Sequence, residues 1–357
     1  MSTAGGNTSG FDYLRIILSL AVLTWHCYAV TNFDAANAIF WGGPLRALPA
    51  FILPMFFALS GFLVSGSLAR SRLHEFALLR ILRIVPALAF ETILTGVLLG
   101  AAFTTLPLAV YFTSPEFFSY FLNIFGYIHY TLPGVFDGRM LNAQLWTIPS
   151  EFECYLVLML AAAAGLTGRR RLFAWAVVIG SVAMTVFSIS AGTLNPYAPL
   201  GGRVLVFAFL AGVLLYLYKD FVRHDLSLFA ACLVAAAGLL TYQQTSYLAA
   251  LPVAYVTVWL GLTRPPKIKF GDLSYGVFLF HFPILQSLYQ SFGGTMPWFM
   301  YCAAVVPLSI GIAWISWCIV EQPVLTRKKR IISMASGLLT SHAGISPVRG
   351  KALQLDK

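Results

Sequence analysis

"FDYLRIILSLAVLTWHC", Phe11 to Cys27, is apolar enough to lie in a bilayer, yet it holds Asp12, Arg15 and His26. Ionisable side chains inside a membrane span cost roughly 2–3 kcal/mol or more each, so a span that keeps three of them reads first as a functional segment. On a helix of 3.6 residues per turn, the interval from Arg15 to His26 covers about 1100°, roughly 20° beyond three full turns. The two side chains are expected on one face, roughly 16–17 Å apart along the axis. Asp12 lies near that face and can pair with Arg15. The structural alternative is an Asp12–Arg15 anchor at the interface, with His26 bonded to a neighbouring helix.

The chain around this segment has the same character. Of its 357 residues 59% are apolar and 10% charged, and its mean hydropathy is +0.80. A soluble protein of this length has too little polar surface to cover so much apolar area. The expected class is an all-α, polytopic integral membrane protein with about ten transmembrane helices. The stretches that qualify are 12–31, 46–65, 84–103, 145–166, 172–191, 203–218, 226–242, 248–262, 273–290 and 297–320. The first apolar run lacks a basic leader and a small-residue cleavage site, so it is expected to be retained as a span.

Orientation follows from Lys and Arg. With residue 1 in the cytoplasm, all but Arg46, Arg139 and Arg203 of the 23 basic residues fall on the inner side, which predicts an N-in, C-in topology. That distribution accounts for the net charge of +10 without nucleic acid. Residues 1–11 are then a cytoplasmic N-terminus and 12–324 the transmembrane domain. Residues 325–357 are a cytoplasmic tail, expected to be disordered because it turns polar and loses periodicity from 331. The aromatic-rich segment 104–144 lies outside; it is expected either to dip back over a site or to pack as a plain loop. The five cysteines, Cys27, Cys154, Cys232, Cys302 and Cys318, lack metal-ligand spacing and read as buried small hydrophobes; no metal site is expected.

Further polar clusters interrupt the apolar runs. In "LWTIPSEFECYL", Leu145 to Leu156, Glu151 lies roughly 9 Å below the outer edge and His26 roughly 8 Å, so the two are expected as partners. Trp146 alone suits an interfacial belt, and Glu151 alone suits a solvated helix end. In "FALLRILRIVPAL", Arg80 and Arg83 stand one turn apart, a pairing that suits a polyphosphate, or lipid phosphate as the plainer reading. In "GDLSYGVFLFHFPIL", Ser274 and His281 share a face; a lone buried histidine is more commonly a bonded core residue. In "CIVEQP", Glu321 closes the last span.

Taken in order, these clusters resemble the membrane-bound acyltransferase family 3, acyl-CoA-dependent enzymes that decorate bacterial surface glycans. The resemblance rests on Asp12, Arg15 and His26; on "FFALSGFL" with Ser60 and Gly61; on Arg80, Arg83, Ile84 and Pro86; on Trp146 and Glu151; on Ser274, Tyr275, His281 and Pro283; and on Glu321 with Pro323. It covers roughly residues 11–324. Thr147 and Ile148 stand where the family has Ser and Leu, and Cys154 where it usually has Phe.

The resemblance implies a multi-pass protein of the bacterial inner membrane that moves an acyl group, acetyl in the family pattern, from cytoplasmic acyl-CoA to a hydroxyl of an extracytoplasmic or lipid-linked glycan, such as an exopolysaccharide or O-antigen. It needs no bound cofactor, with acyl-CoA as co-substrate. His26 and Glu151 are the expected catalytic residues. Arg15, Arg80, Arg83, His281 and Glu321 are expected at the donor, and Asp12, Ser60, Trp146, Ser274 and Tyr275 in support or at the acceptor. The expectation is one tunnel lined by Arg15 and His26. A transporter of lipid-linked glycans is the rival reading, although the matching interrupted half-repeats typical of transporters are not evident. A non-catalytic assembly protein is a third.

Overall fold

The structure is a computed structural model describing residues 9–191, 199–268 and 271–334. Each apolar stretch expected from the sequence holds a helix. They are α1 (Ser9–Thr31), α2 (Pro44–Leu68), α3 (Leu73–Phe103), α4 (Ala143–Ala163), α5 (Arg170–Ser190), α6 (Gly202–Leu217), α7 (Leu226–Thr241), α8 (Ala250–Gly261), α9 (Ser274–Ser291) and α10 (Trp298–Thr326). Six of them, α1 to α5 and α10, are long and apolar enough to cross a membrane. Helices α6, α7 and α8 are shorter apolar rods, and α9 is interrupted by His281, Pro283 and two glutamines. Among the described residues there is no sheet, only an isolated bridge between Thr104 and Val135.

Two boundaries differ from the sequence expectation. Helix α3 starts at Leu73 instead of 84, because the arginine-bearing stretch before Pro86 is helical as well. Its start is fixed locally: the Arg72 N–H donates to Glu75 Oε2 at 3.0 Å, satisfying a donor that the first turn leaves without a partner. At the other end the chain turns at Arg327 and residues 328–334 are again helical; the rest of the expected tail, 335–357, lies outside the described residues.

Helices α2 and α6 pack backbone to backbone. A Cβ on Gly61 would stand 2.0 Å from the Phe209 carbonyl oxygen, and one on Gly212 would stand 2.0 Å from that of Ala58. Without a hydrophobic drive between helices in lipid, small residues that permit such approach are how helices associate. Beside this pair, α1 packs on α9 through Leu23, Cys27, Val277 and Leu285.

The segment between α3 and α4 has a small core of its own, formed by Tyr111, Phe117, Tyr120, Leu132, Val135, Phe136 and Leu141. Two short helices, Leu108–Thr113 and Pro115–Tyr120, carry it against Val97, Leu99, Ala101 and Phe103 of α3, while Phe118, Phe125 and Tyr127 remain exposed. Cys27 and Cys154 are buried as expected; Cys232 and Cys302 are half-buried, and Cys318 is exposed, which corrects the core reading for that residue.

Candidate functional site

Two cavities lie along the stripe of α1 that carries Arg15 and His26. The first, of about 160 Å³, is lined by Arg15, Ser60, Arg80, Arg83, Glu151, Tyr155, Asp272, Ser274 and Tyr275 among apolar residues of α2 and α9. The second, of about 390 Å³, holds His26 together with Trp25, Trp41, Tyr130, Gln144 and Trp146. Leu53, Thr147 and Phe278 line both and form the wall between them. Arg15 and His26 therefore do not share one tunnel; they line adjoining chambers. The correction has a plain cause. Phe278 packs between Phe56 and His281 and occupies the space where the chambers would join.

The first chamber is organised by Asp272, a residue that the sequence reading passed over. Its Oδ2 accepts from Arg83 at 2.6 Å and from Arg15 at 3.0 Å. Its Oδ1 accepts from the Ser274 hydroxyl at 2.5 Å. Burial works to raise this carboxyl, but Arg83, Arg15 and the Ser274 bonds outweigh it and hold the group below the ordinary carboxylate range. Asp12 is a looser partner of Arg15, at 3.9 Å.

Glu321 reaches the chamber only through Arg83, with 3.4 Å between Oε2 and Nη1. A π-helical turn, Trp317–Glu321, turns this carboxylate into the protein, where it is nearly fully buried. Tyr275 donates to the Ile84 carbonyl and lies with its ring 5.8 Å from the Arg83 guanidinium. Arg80 differs from its neighbours. It rests against Phe76 and Tyr155 and donates weakly to Ser67, and among the described residues it has no carboxylate partner. Its Nε is buried and, among the described residues, makes no bond. Arg80 is thus the cation of this chamber with most capacity left for an external anion.

Glu151 stands in this chamber and not beside His26. It accepts from the Tyr155 hydroxyl at 2.5 Å. The expected pairing failed because depth was counted from residue 145 as though it met water there. In fact Leu145 and Ile148 are buried in the main helical core, and Gln144 just before them donates to the Leu279 carbonyl of α9, so the helix begins inside the protein. Trp146 lines the second chamber, at its half-buried wall, and Ser60 lines the first.

The partner of His26 is His281. His26 Nδ1 and His281 Nε2 are 2.7 Å apart, with rings nearly parallel. His281 Nδ1 lies 2.8 Å from the Phe278 carbonyl and 3.2 Å from that of Val277. A carbonyl only accepts, so His281 carries its proton on Nδ1 and offers a lone pair at Nε2. His26 must then donate from Nδ1, which leaves the lone pair of His26 on Nε2. Among the described residues His281 lines neither chamber; the structure sets it against His26 instead of at the arginines where the donor was expected.

A carboxylate deep in α3 also escaped the sequence reading. Glu91 is fully buried and accepts from Thr95 at 2.9 Å. Asn142, which bonds the Tyr120 hydroxyl, lies beside it. Its signal was present: a lone acid within twenty apolar residues. The cluster fastens the 104–142 segment to α3 and contributes to neither chamber.

Comparison with known proteins follows the same line. Residues 8–319 match the family described as "Acyltransferase domain". The chain is 28% identical to a protein named O-acetyl transferase from Shigella phage Sf6, covering 91% of this chain and 98% of that one. It is 25% identical to Nodulation protein 10 from Rhizobium leguminosarum bv. viciae, over 92% and 96% respectively. No solved structure matches the chain.

Proposed function

The chain belongs to this acyltransferase family, and from that premise we propose that it is a multi-pass enzyme of the bacterial inner membrane that moves an acyl group from cytoplasmic acyl-CoA to a hydroxyl of an extracytoplasmic or lipid-linked glycan. The name of the phage relative favours acetyl as the group carried. The distribution of Lys and Arg supports N-in, C-in orientation with ten crossings, so that the arginine chamber opens toward the cytoplasm.

The observation that carries this reading is the pair of adjoining chambers, cationic on one side and bearing an imidazole on the other, with a wall one side chain thick at Leu53, Thr147 and Phe278. Phosphates of the donor meet Arg80 first, and Arg15 and Arg83 as Asp272 shares them. The thin pantetheine arm then brings the thioester to the wall. From the other chamber an alcohol gives its proton to His26 Nε2 as its oxygen attacks the thioester carbonyl. The new C–O bond forms, the C–S bond breaks, and the proton passes to the departing thiolate. General-base help of this kind contributes roughly 10²–10⁴-fold. Glu151 lies on the donor side of the wall and serves there, orienting Tyr155.

Mass spectrometry of surface glycans from cells with and without the protein, combined with labelled acetyl-CoA supplied to membranes, tests the proposal. The expected result is label in glycan esters only when the protein is present. Loss of glycan export with intact thioester would replace the enzyme by a transporter.

A further inference from the structure

The second chamber holds a polar group that the transfer chemistry does not use. Gln144 is 1% exposed. Its Nε2 donates to the Leu279 carbonyl at 2.7 Å. A carbonyl cannot donate in return, so the orientation of the amide is settled and Oε1 is the atom left over. That oxygen is buried and, among the described residues, has no partner. An orphaned buried acceptor is destabilising, and a ligand donor at this point removes that cost.

The walls around it define what that donor belongs to. Trp25, Trp41, Trp146 and Tyr130 surround a space of about 390 Å³, within the range of small-molecule sites. Among the described residues no carboxylate, ammonium or guanidinium lines it. A pyranose ring has an apolar C–H face and a rim of hydroxyls. The aromatic rings suit the face, and a fixed carbonyl suits a hydroxyl donor. A uronic acid or phosphorylated sugar would bring a charge that nothing here compensates for its lost hydration.

We infer that this chamber is an acceptor subsite for one uncharged sugar ring, packed against tryptophan, with Gln144 Oε1 receiving a ring hydroxyl while His26 faces the hydroxyl to be acylated. The inference rests on the acyltransferase reading and narrows its acceptor to a neutral saccharide unit.

Saturation-transfer NMR on the full-length protein in detergent tests it, using the methyl pyranosides of glucose, galactose, mannose and rhamnose beside methyl glucuronide. At least one neutral glycoside is expected to bind, and the glucuronide at least tenfold more weakly. Gln144→Leu removes the accepting oxygen and weakens neutral glycoside binding by roughly tenfold or more. Trp41→Leu, at the half-buried rim, weakens it as well and carries the test should Gln144→Leu unfold. Binding of no neutral glycoside, equal binding of glucuronide, or unchanged binding by both variants overturns the subsite. A CoA titration of the same wild-type sample separates the two readings. CoA binding without glycoside binding sinks the subsite alone; glycoside binding without CoA supports the subsite and sinks the donor assignment.

Discussion

His281 Nε2 stands 2.7 Å from His26 Nδ1, and the proton between them belongs to His26 because His281 has already committed its own to the Phe278 carbonyl. The second histidine thus acts as a fixed acceptor that selects the tautomer of the first. Glutamine can imitate it, since its side-chain oxygen also accepts; leucine cannot. His281→Leu is expected to lower acyl transfer by about 10²-fold, and His281→Gln to recover much of the loss. His26→Ala and His26→Gln both remove the base and lower transfer by roughly 10²–10⁴-fold. Equal activity of His281→Leu and His281→Gln in membrane assays would remove the tautomer argument.

Arg80 is the next test. It lines the arginine chamber and, among the described residues, has no carboxylate partner, whereas Arg15 and Arg83 are held by Asp272. Arg80→Gln is expected to raise KM for acyl-CoA by roughly tenfold or more and to change kcat little, since a charge-assisted contact to phosphate is worth about 1.5–3 kcal/mol. The same kinetics with dephosphorylated pantetheine thioester should show no effect of the substitution. An unchanged KM for acyl-CoA removes Arg80 from the donor site.

Asp272 marks where the sequence was legible and where it was not. Helix positions were readable because apolar length survives without any partner being known. Arg15 and His26 were readable as a same-face pair because the helical period alone sets it. Asp272 was missed because an acid in a short loop before a helix reads as solvated; only the folded arrangement brings two guanidiniums against it. The depth of Glu151 was misjudged for a related reason, since nothing local reveals that the start of α4 is buried in the main core and tied to α9. Gln144 carries no pattern at all until its neighbours are in place.

The stability contribution of Asp272 has a pH signature. Its carboxyl is held below its ordinary value of 3.8 by Arg83 and Arg15 in spite of burial. A depressed folded-state value gives stability that is complete above about pH 4 and is lost as pH falls through that lower value. Asp272→Asn removes the carboxylate that the two arginines share, leaving Arg83 only Glu321 and Arg15 only the looser Asp12. Because the side chain is 21% exposed, the cost falls short of that for a fully buried pair, at about 2–3 kcal/mol. Thermal unfolding in detergent should show Tm lowered by several degrees at neutral pH, with the gap to wild type narrowing in acid. A gap that widens in acid contradicts the assignment.

Gly61 tests the packing that sets both chambers in place. It follows Ser60, which lines the arginine chamber, and its backbone lies against the Phe209 carbonyl of α6. A Cβ there would stand 2.0 Å from that oxygen, and the obstacle is backbone, so no side-chain rotation relieves it. The helices must separate, and the cost of such overpacking is about 1–3 kcal/mol or more. Gly61→Ala is therefore expected to lower Tm and to weaken CoA binding together, because α2 carries Leu53 and Ser60 along as it shifts. Gly238, whose Cβ would meet nothing within 4 Å, supplies the control: Gly238→Ala should leave both measurements unchanged. A Gly61→Ala protein as stable as Gly238→Ala would show that α2 and α6 do not approach this closely in the membrane.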